Sequence, residues 1–178
     1  MTDYYVFADE AGCFTFNNNQ NVSRYFMLVT LTTSSLAIGD ALQDLRRAML
    51  WDQSEIGDLF HATEDRQRVR DRVFEALIAC DFTIQAQVWE KSKTQPHIRV
   101  NRARFYKYAW FYLFRHGMAA RLARADRALI TAASLGTKKE KLSFQNALQD
   151  VMQQTMPNIP WAVDFRPSLA DPCLQAVD

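Results

Sequence analysis

Candidate catalytic acids stand near both ends of this 178-residue chain. Asp9 and Glu10 directly follow an apolar run, residues 4–8, whose first four residues are strand formers. Because side chains alternate across a strand, these two carboxylates should point to opposite faces of a sheet, and at most one of them can face a given site. A carboxylate at the end of an interior strand is costly unless a cation, a hydrogen-bond donor or water compensates its charge. A metal site would do so, and a solvated turn that both acids cap is the alternative.

Three further residues could complete such a site. Asp178 is the last residue given, and His61 and Glu64 lie close together in the middle third of the chain. His61 could be a metal ligand, a general base or a structural histidine. Residues 63–65 also fit an ordinary helix start, with a threonine N-cap and two acids in the first turn. Carboxylates from distant elements are what two-metal hydrolysis of a phosphodiester requires, and oxygen ligands suit Mg²⁺ or Mn²⁺.

A basic segment follows Glu90, the one acid among residues 90–107. Its six basic residues are Lys91, Lys93, Arg99, Arg102, Arg104 and Lys107. Such a patch can hold the phosphate backbone of a nucleic acid without reading its bases. Nucleic acid is therefore a predicted partner.

The segment of residues 102–122 is helical in composition and unusually aromatic. Aromatic side chains on every side of a helix indicate that it is enclosed by the domain or shared with a second copy of the chain. Aromatics mixed with arginine and lysine can also stack on nucleic-acid bases. Packing in the core or in a homodimer is the preferred interpretation, because aromatic residues commonly supply buried area.

Composition predicts one ordinary globular domain over residues 1–178. Hydrophobic residues make up 48% of the chain and charged residues 23%, which separates it from disordered proteins. Three widely spaced cysteines indicate neither a disulfide framework nor a zinc site. Since neither a signal peptide nor a membrane-spanning run is recognisable, a cytoplasmic location and no membrane partner are predicted.

The order of predicted elements gives an α/β fold with a mixed sheet. Two strands come first, and helices and strands then alternate up to a short closing helix that begins at Pro172 with Asp171 as its N-cap. A strand at residues 127–133, a helix at residues 138–155 and a last strand at residues 161–165 predict a parallel crossover. In the strand at residues 82–90, the apolar side chains fall on even positions, which are therefore expected to face the interior, and Glu90 lies on that same side. Either the strand has left the sheet by Glu90, or this acid points toward the interior.

Three phrases of this sequence resemble the domain of unknown function 3800 family, and the resemblance spans nearly the whole chain. They are Phe-Ala-Asp-Glu-Ala-Gly at residues 7–12, Phe-His-Ala-Thr-Glu-Asp-Arg at residues 60–66, and Asp-Pro-Cys-Leu-Gln-Ala-Val-Asp at residues 171–178. The resemblance implies a ribonuclease H-like mixed sheet covered by helices on both faces. It also implies that Asp9 and Asp178 face one another across a metal-dependent site, with Glu64 or Asp65 on a covering helix as the second acid and Glu10 as a weaker companion.

The chain departs from the family pattern in three places. Ala11 stands where the family has serine, and the strand at residues 129–133 lacks the acid that members often carry there. One carboxylate is therefore expected to be missing or to come from Glu90. Members also continue beyond the Leu-Gln-x-x-Asp phrase, so the chain is expected to be truncated at its C-terminus, without a helix to support Asp178.

These observations lead to a divalent-metal-dependent nuclease or phosphodiesterase-like protein as the main hypothesis. The alternative is a non-catalytic homodimeric interaction module or nucleic-acid-binding module on the same scaffold, and a hydrolase of small phosphate compounds is a third hypothesis. The predicted catalytic residues are Asp9, Glu10, His61, Glu64 and Asp178. The predicted ligands of Mg²⁺ or Mn²⁺ are Asp9, Glu64 and Asp178.

Overall fold

The computed structural model describes residues 2–17, 22–134 and 136–178. Five strands in this part of the chain form one open sheet. They are β1 (Asp3–Ala11), β2 (Tyr25–Thr33), β3 (Thr83–Glu90), β4 (Arg127–Ala133) and β5 (Trp161–Arg166). The spatial order is β3-β2-β1-β4-β5, which places β1 at the centre of the sheet.

Six α-helices accompany these strands in the described residues. They are α1 (Ala37–Trp51), α2 (Gln67–Ile78), α3 (Arg102–Leu113), α4 (Ala119–Leu122), α5 (Lys138–Thr155) and α6 (Pro172–Gln175). A π-helical turn, Phe114–Met118, joins α3 to α4. The predicted mixed α/β fold is confirmed. A lipid-spanning helix would need about 20 consecutive apolar residues, and none of the helices described meets the length and hydropathy required.

The sheet is mixed because one strand runs against the others. β1 pairs antiparallel with β2 and parallel with β4, while β2 pairs antiparallel with β3 and β4 pairs parallel with β5. The predicted crossover from β4 through α5 to β5 is therefore confirmed. Since β1, β3, β4 and β5 share one direction, their carboxyl ends meet at the same edge of the sheet. In open sheets with parallel strands, this edge is where ligands usually bind.

Helices cover both faces of the sheet, and alternation along β1 divides its side chains between them. Val6 and Ala8 face the core built with α3, α4 and α5. Phe7 faces a second core built with α1, α2 and α6. We call these the aromatic face and the α6 face. Since side chains alternate, Asp9 continues the α6 face and Glu10 continues the aromatic face, which confirms the prediction that the two acids diverge.

The aromatic segment is mainly core. Phe105, Tyr106, Trp110 and Phe114 are completely buried on the aromatic face. A fully buried side chain of this size contributes about 1.5–3 kcal/mol of transfer free energy, so the segment stabilises its own domain. Of the two packing alternatives, the structure supports the core and gives no support for a homodimer through residues 102–122.

Two local predictions were wrong, and the first concerns the start of α2. The helix begins at Gln67 with Arg66 at its N-cap position, and residues 62–65 form turns instead of a first helical turn. The reason is a competing hydrogen bond, because the Asp65 carboxylate accepts from the His61 backbone N–H at 2.8 Å. Short acidic side chains often stabilise turns in this way, at the expense of helix.

The second wrong expectation concerns the side of β3 that faces the interior. Its even positions are the outward ones: Ile84 is 46% exposed and Val88 is 55% exposed. β3 is an edge strand, and its odd residues face the aromatic side, where the Trp89 and Phe105 rings lie 5.2 Å apart. Glu90 therefore lies on the outward-facing side, and no buried acid is created there.

Candidate functional site

The site is assembled where the loop before α2 meets the C-terminal turn. Gln175 Oε1 accepts a hydrogen bond from the Phe60 backbone N–H at 3.1 Å. Asp178 Oδ2 accepts one from the Ala62 backbone N–H at 2.6 Å. Asp171 begins the turn as predicted, since its side chain accepts from the Cys173 backbone N–H at the first turn of α6. Two of the three phrases that carry the family resemblance are thus joined directly.

Asp9, from the phrase at residues 7–12, lies beside these two segments. Its Oδ1 accepts a hydrogen bond from the Glu10 backbone N–H at 2.9 Å, and its carboxyl group lies beside that of Asp178. Burial raises the pKa of Asp9 to about 6; the Glu10 N–H opposes that rise, and the neighbouring negative Asp178 adds to it. Two carboxylates from opposite ends of the sequence therefore crowd one another at the carboxyl edge of the sheet.

His61 lies on the rim of this carboxylate pair. Its Nδ1 is 3.4 Å from Asp178 Oδ2 and 3.1 Å from Thr63 Oγ1, and its side chain is 36% exposed. The imidazole is also close enough to Asp9 to oppose the rise in the pKa of that carboxyl. Of the three roles considered for this histidine, both chemical ones remain compatible with its position.

Glu64 is not part of the cluster. It is exposed on the turn between His61 and α2, and its carboxylate has no hydrogen bond or ion pair with any residue that the structure describes. Because α2 starts later than predicted, the expected placement of Glu64 or Asp65 on a covering helix was wrong. Asp65 instead holds the turn through the His61 backbone.

Glu10 lies away from the pair, on the aromatic face. Neither of its carboxylate oxygens has a hydrogen-bond partner among the described residues, and the nearby Tyr106 hydroxyl has none either. Burial raises the pKa of Glu10 to about 8, opposed in part by the proximity of Tyr106 and reinforced by the charge of Asp9. The structure therefore does not bring Glu10 to the Asp178 side of β1, and at neutral pH its side chain is mostly protonated.

Most of the basic residues that follow β3 already have partners. Lys93 pairs with Glu90 at 2.7 Å, Arg102 pairs with Glu140 at 2.8 Å, and Lys107 pairs with Asp150. Lys91 is buried and bonded to backbone carbonyls. That leaves Arg99 and Arg104, which are exposed and unpaired among the described residues.

Among the residues that the structure describes, no third acid joins the carboxylate pair. Glu90, the expected substitute, lies on the outward side of β3 and forms ion pairs with Arg24 and Lys93, which hold the pKa of its carboxyl at about 2. Among residues 2–17, 22–134 and 136–178, no group of three or more His, Cys, Asp or Glu side chains is arranged to hold a metal ion. Asp9 and Asp178, with His61 alongside, are the acidic centre that the described residues provide.

Gln175 is the one site residue that sequence reasoning missed. Its Oε1 holds the loop at Phe60 while its Nε2 donates to the Ser168 carbonyl at 3.1 Å. The glutamine is part of the Leu-Gln-x-x-Asp phrase, so a signal was present. The sequence pattern alone does not show that Gln175 and Asp178 both bind the backbone of the same loop, at Phe60 and at Ala62.

Comparison with known proteins adds no homologue. No protein-family model matches the chain, and no curated protein matches it. The resemblance to the domain of unknown function 3800 family therefore stays a prediction, and the carboxylate pair and its surroundings are the basis for any functional conclusion.

Proposed function

We propose that this chain is a divalent-metal-dependent phosphodiesterase of the ribonuclease H-like class that acts on nucleic acid, with Asp9 and Asp178 as the metal ligands. The observation that carries the proposal is the meeting of these two carboxylates, one of which is buried enough to have a pKa of about 6. Two negatively charged carboxylates that lie side by side repel each other unless a proton or a cation lies between them.

The donor set fits Mg²⁺ or Mn²⁺ better than zinc. Both ligands are hard carboxylate oxygens, and each residue has one oxygen fixed by a backbone N–H, from Glu10 for Asp9 and from Ala62 for Asp178. Mg²⁺ usually keeps several waters and is held by one or two carboxylates together with substrate phosphates. A pair of carboxylates is therefore sufficient, and Glu64 is not needed as a third ligand.

The topology supports the fold class in this proposal. In the order β3-β2-β1-β4-β5, only β2 runs against the other strands, and the two acids sit at the carboxyl end of the central strand. The segment that follows β3 leaves the sheet at this same edge and carries Arg99. Arg99 lines the same surface cavity as residues 15–17, which follow the end of β1, and a positive charge there would favour an approaching phosphate backbone.

Each residue of the site has a distinct task in this proposal. A bound divalent ion supplies a Lewis acid for the phosphoryl group. Asp9 and Asp178 bind that ion and fix its position, and Gln175 holds the loop that orients Asp178. His61, with Nδ1 3.4 Å from Asp178, can take or release a proton at the rim.

The test is cleavage of fluorescent oligonucleotides by the purified protein with Mn²⁺ or Mg²⁺. Single-stranded DNA, duplex DNA, RNA and an RNA–DNA hybrid form the substrate panel. Asp9→Asn should reduce the rate by about 100-fold or more, since it removes a ligand charge where electrostatic stabilisation acts. Asp44→Asn is the matched control, because Asp44 is 75% exposed and, among the described residues, pairs with Arg47 alone, on α1.

Two results would contradict the proposal. One is cleavage by Asp9→Asn at the rate of the wild type, with circular dichroism showing that both are folded. The other is a wild-type protein that cleaves none of the four substrates and shows no heat of Mn²⁺ binding by calorimetry.

A further inference from the structure

A buried ammonium group lies apart from the carboxylate pair, behind the end of β1. Lys91 is only 5% exposed. Its Nζ donates to the Cys13 carbonyl at 3.1 Å, to the Thr15 carbonyl at 2.8 Å and to the Cys13 Sγ at 3.2 Å. An ammonium group has three N–H donors, so these contacts account for all of them.

None of the described carboxylates forms an ion pair with Lys91. Its neighbour Glu90 is engaged by Arg24 and Lys93 instead. A charged amine removed from water needs a counter-charge, and carbonyl oxygens supply only dipoles. Of the three atoms that accept from Lys91, the Cys13 sulfur alone can become an anion.

The remaining contacts of Cys13 favour that anion. The Ser23 hydroxyl donates to Sγ at 3.4 Å, while the Cys13 backbone N–H donates to the same hydroxyl oxygen at 2.9 Å. Burial alone would raise the pKa of Cys13, but hydrogen bonds from Ser23, the Thr15 backbone and Lys91 outweigh it and lower the pKa to about 6. The other two cysteines lack such a cation, and burial raises the pKa of Cys173 to about 11.

This pair lies beside a surface cavity. Ser23 and Lys91, which both contact the Cys13 sulfur, line this cavity of about 450 Å³, and Cys13 itself is partly exposed. The other charged residues lining the cavity are Arg24 and Arg99, and no carboxylate lines it. Among the described residues, Lys91 is thus the cation that contacts the sulfur.

We propose that Cys13, held as a thiolate by Lys91, is a modification site that reacts with hydroperoxides to form a sulfenic acid. The thiolate sulfur attacks one peroxide oxygen, an S–O bond forms and the O–O bond breaks. Sulfur is oxidised by two electrons, and the other peroxide oxygen leaves as hydroxide from hydrogen peroxide or as alkoxide from an organic hydroperoxide, then takes a proton from solvent to give water or an alcohol. The neutral product leaves Lys91 without its counter-charge, so oxidation loosens the clamp between Lys91 and residues 13–15.

The expected rate advantage can be worked out at pH 6. A thiol with a pKa near 6 is about half ionised there, against about 0.3% for an ordinary thiol with a pKa of about 8.5. The lower basicity costs about 10- to 20-fold in intrinsic nucleophilicity. Cys13 should therefore react with dipyridyl disulfide at pH 6 about tenfold faster than the same thiol in the urea-unfolded chain. Mass spectrometry measures the extent of reaction at each cysteine over time.

Two substitutions at one position separate charge from packing. Lys91→Met should lower the Cys13 rate at pH 6 by a few fold, because Ser23 and the Thr15 backbone keep part of the pKa shift, and Lys91→Arg should retain most of the rate, because the guanidinium keeps the charge. Lys93→Met, which removes an exposed neighbouring lysine, should change nothing. Treating the wild type with hydrogen peroxide and then dimedone should label Cys13 ahead of Cys80 and Cys173.

The thiolate absorbance near 240 nm gives a reading that does not depend on access to the sulfur. In the folded wild type, one thiol should ionise with a midpoint near pH 6. A first midpoint at pH 8 or above in the wild type would overturn the proposal, whatever labelling rate the Lys91→Met protein shows. An unchanged Cys13 rate in a folded Lys91→Met protein would overturn it as well.

Discussion

Replacing Asp9 by Asn should stabilise the metal-free protein at neutral pH. The pKa of Asp9 is about 6 in the folded chain, against an ordinary value of 3.8. Between about pH 4 and pH 6 the folded state keeps this proton while the unfolded state releases it, so the free energy of unfolding falls as pH rises through that window. Asn cannot ionise, and its carbonyl can still accept from the Glu10 backbone N–H while its amide donates to Asp178.

The size of the effect follows from that difference in pKa. Two pKa units correspond to about 2.7 kcal/mol. Asp9 is only partly buried, so solvent screening reduces this to about 1–2 kcal/mol. For a chain of this length, the Tm of Asp9→Asn in EDTA at pH 7.5 should rise by about 3–6 °C. Below pH 4 the two proteins should melt together.

Metal should reverse the ranking. At a Mn²⁺ concentration about 100 times the dissociation constant, the wild type should gain about 2.7 kcal/mol, and Asp9→Asn should gain little because a ligand is lost. Calorimetric melts from pH 4 to pH 8, with and without Mn²⁺, measure both effects, and Asp44→Asn should stay within about 0.5 kcal/mol of the wild type throughout. A less stable Asp9→Asn protein in EDTA at pH 7.5 would refute the electrostatic reasoning, and equal gains with Mn²⁺ would refute the ligand assignment.

Three further substitutions test the end of β1 and the cap of α5. Glu10→Gln should become progressively more stable than the wild type between about pH 4.5 and pH 8, with no further change above, because the pKa of Glu10 is raised to about 8; a difference independent of pH in thermal melts contradicts this. Gly12→Ala should cost about 2–4 kcal/mol, since Gly12 has a φ of +92° and an added Cβ would lie 2.4 Å from the Tyr25 carbonyl oxygen; urea unfolding measures it, and a loss below 1 kcal/mol contradicts it. Thr137→Ala should lower the Tm by about 2–4 °C, because Thr137 and Glu140 form a capping box at the start of α5; an unchanged Tm would mean that the cap contributes nothing.

The elements with strong local signals could be predicted from the sequence. α5 lies at the predicted residues, and the short α6 begins at Pro172 with Asp171 as its cap. The divergence of Asp9 and Glu10 also follows from strand geometry alone. These features depend on near neighbours in the sequence, and near neighbours are what a single sequence displays.

The wrong predictions depend on contacts that composition and periodicity do not reveal. Thr63 is a good N-cap by composition, but the Asp65 carboxylate turns back to the His61 backbone and delays the helix. The apolar even positions of β3 resemble a buried face, yet β3 lies at the edge of the sheet and those side chains stay exposed. Nor could composition reveal that Lys91 is buried against Cys13, because a lysine in a basic run is ordinarily solvated.

The carboxylate pair depends on a closing contact between distant parts of the chain. Asp9 is fixed by the central strand, but Asp178 is oriented by the Ala62 N–H and by Gln175, which itself binds Phe60. Gln175→Ala should therefore weaken Mn²⁺ affinity although Gln175 touches neither carboxylate, whereas Glu10→Gln, adjacent to Asp9 in sequence, should leave that affinity almost unchanged. Calorimetric titration of the two variants compares them directly. The opposite ranking would mean that sequence neighbours, and not the contact between loop and turn, determine the geometry of the site.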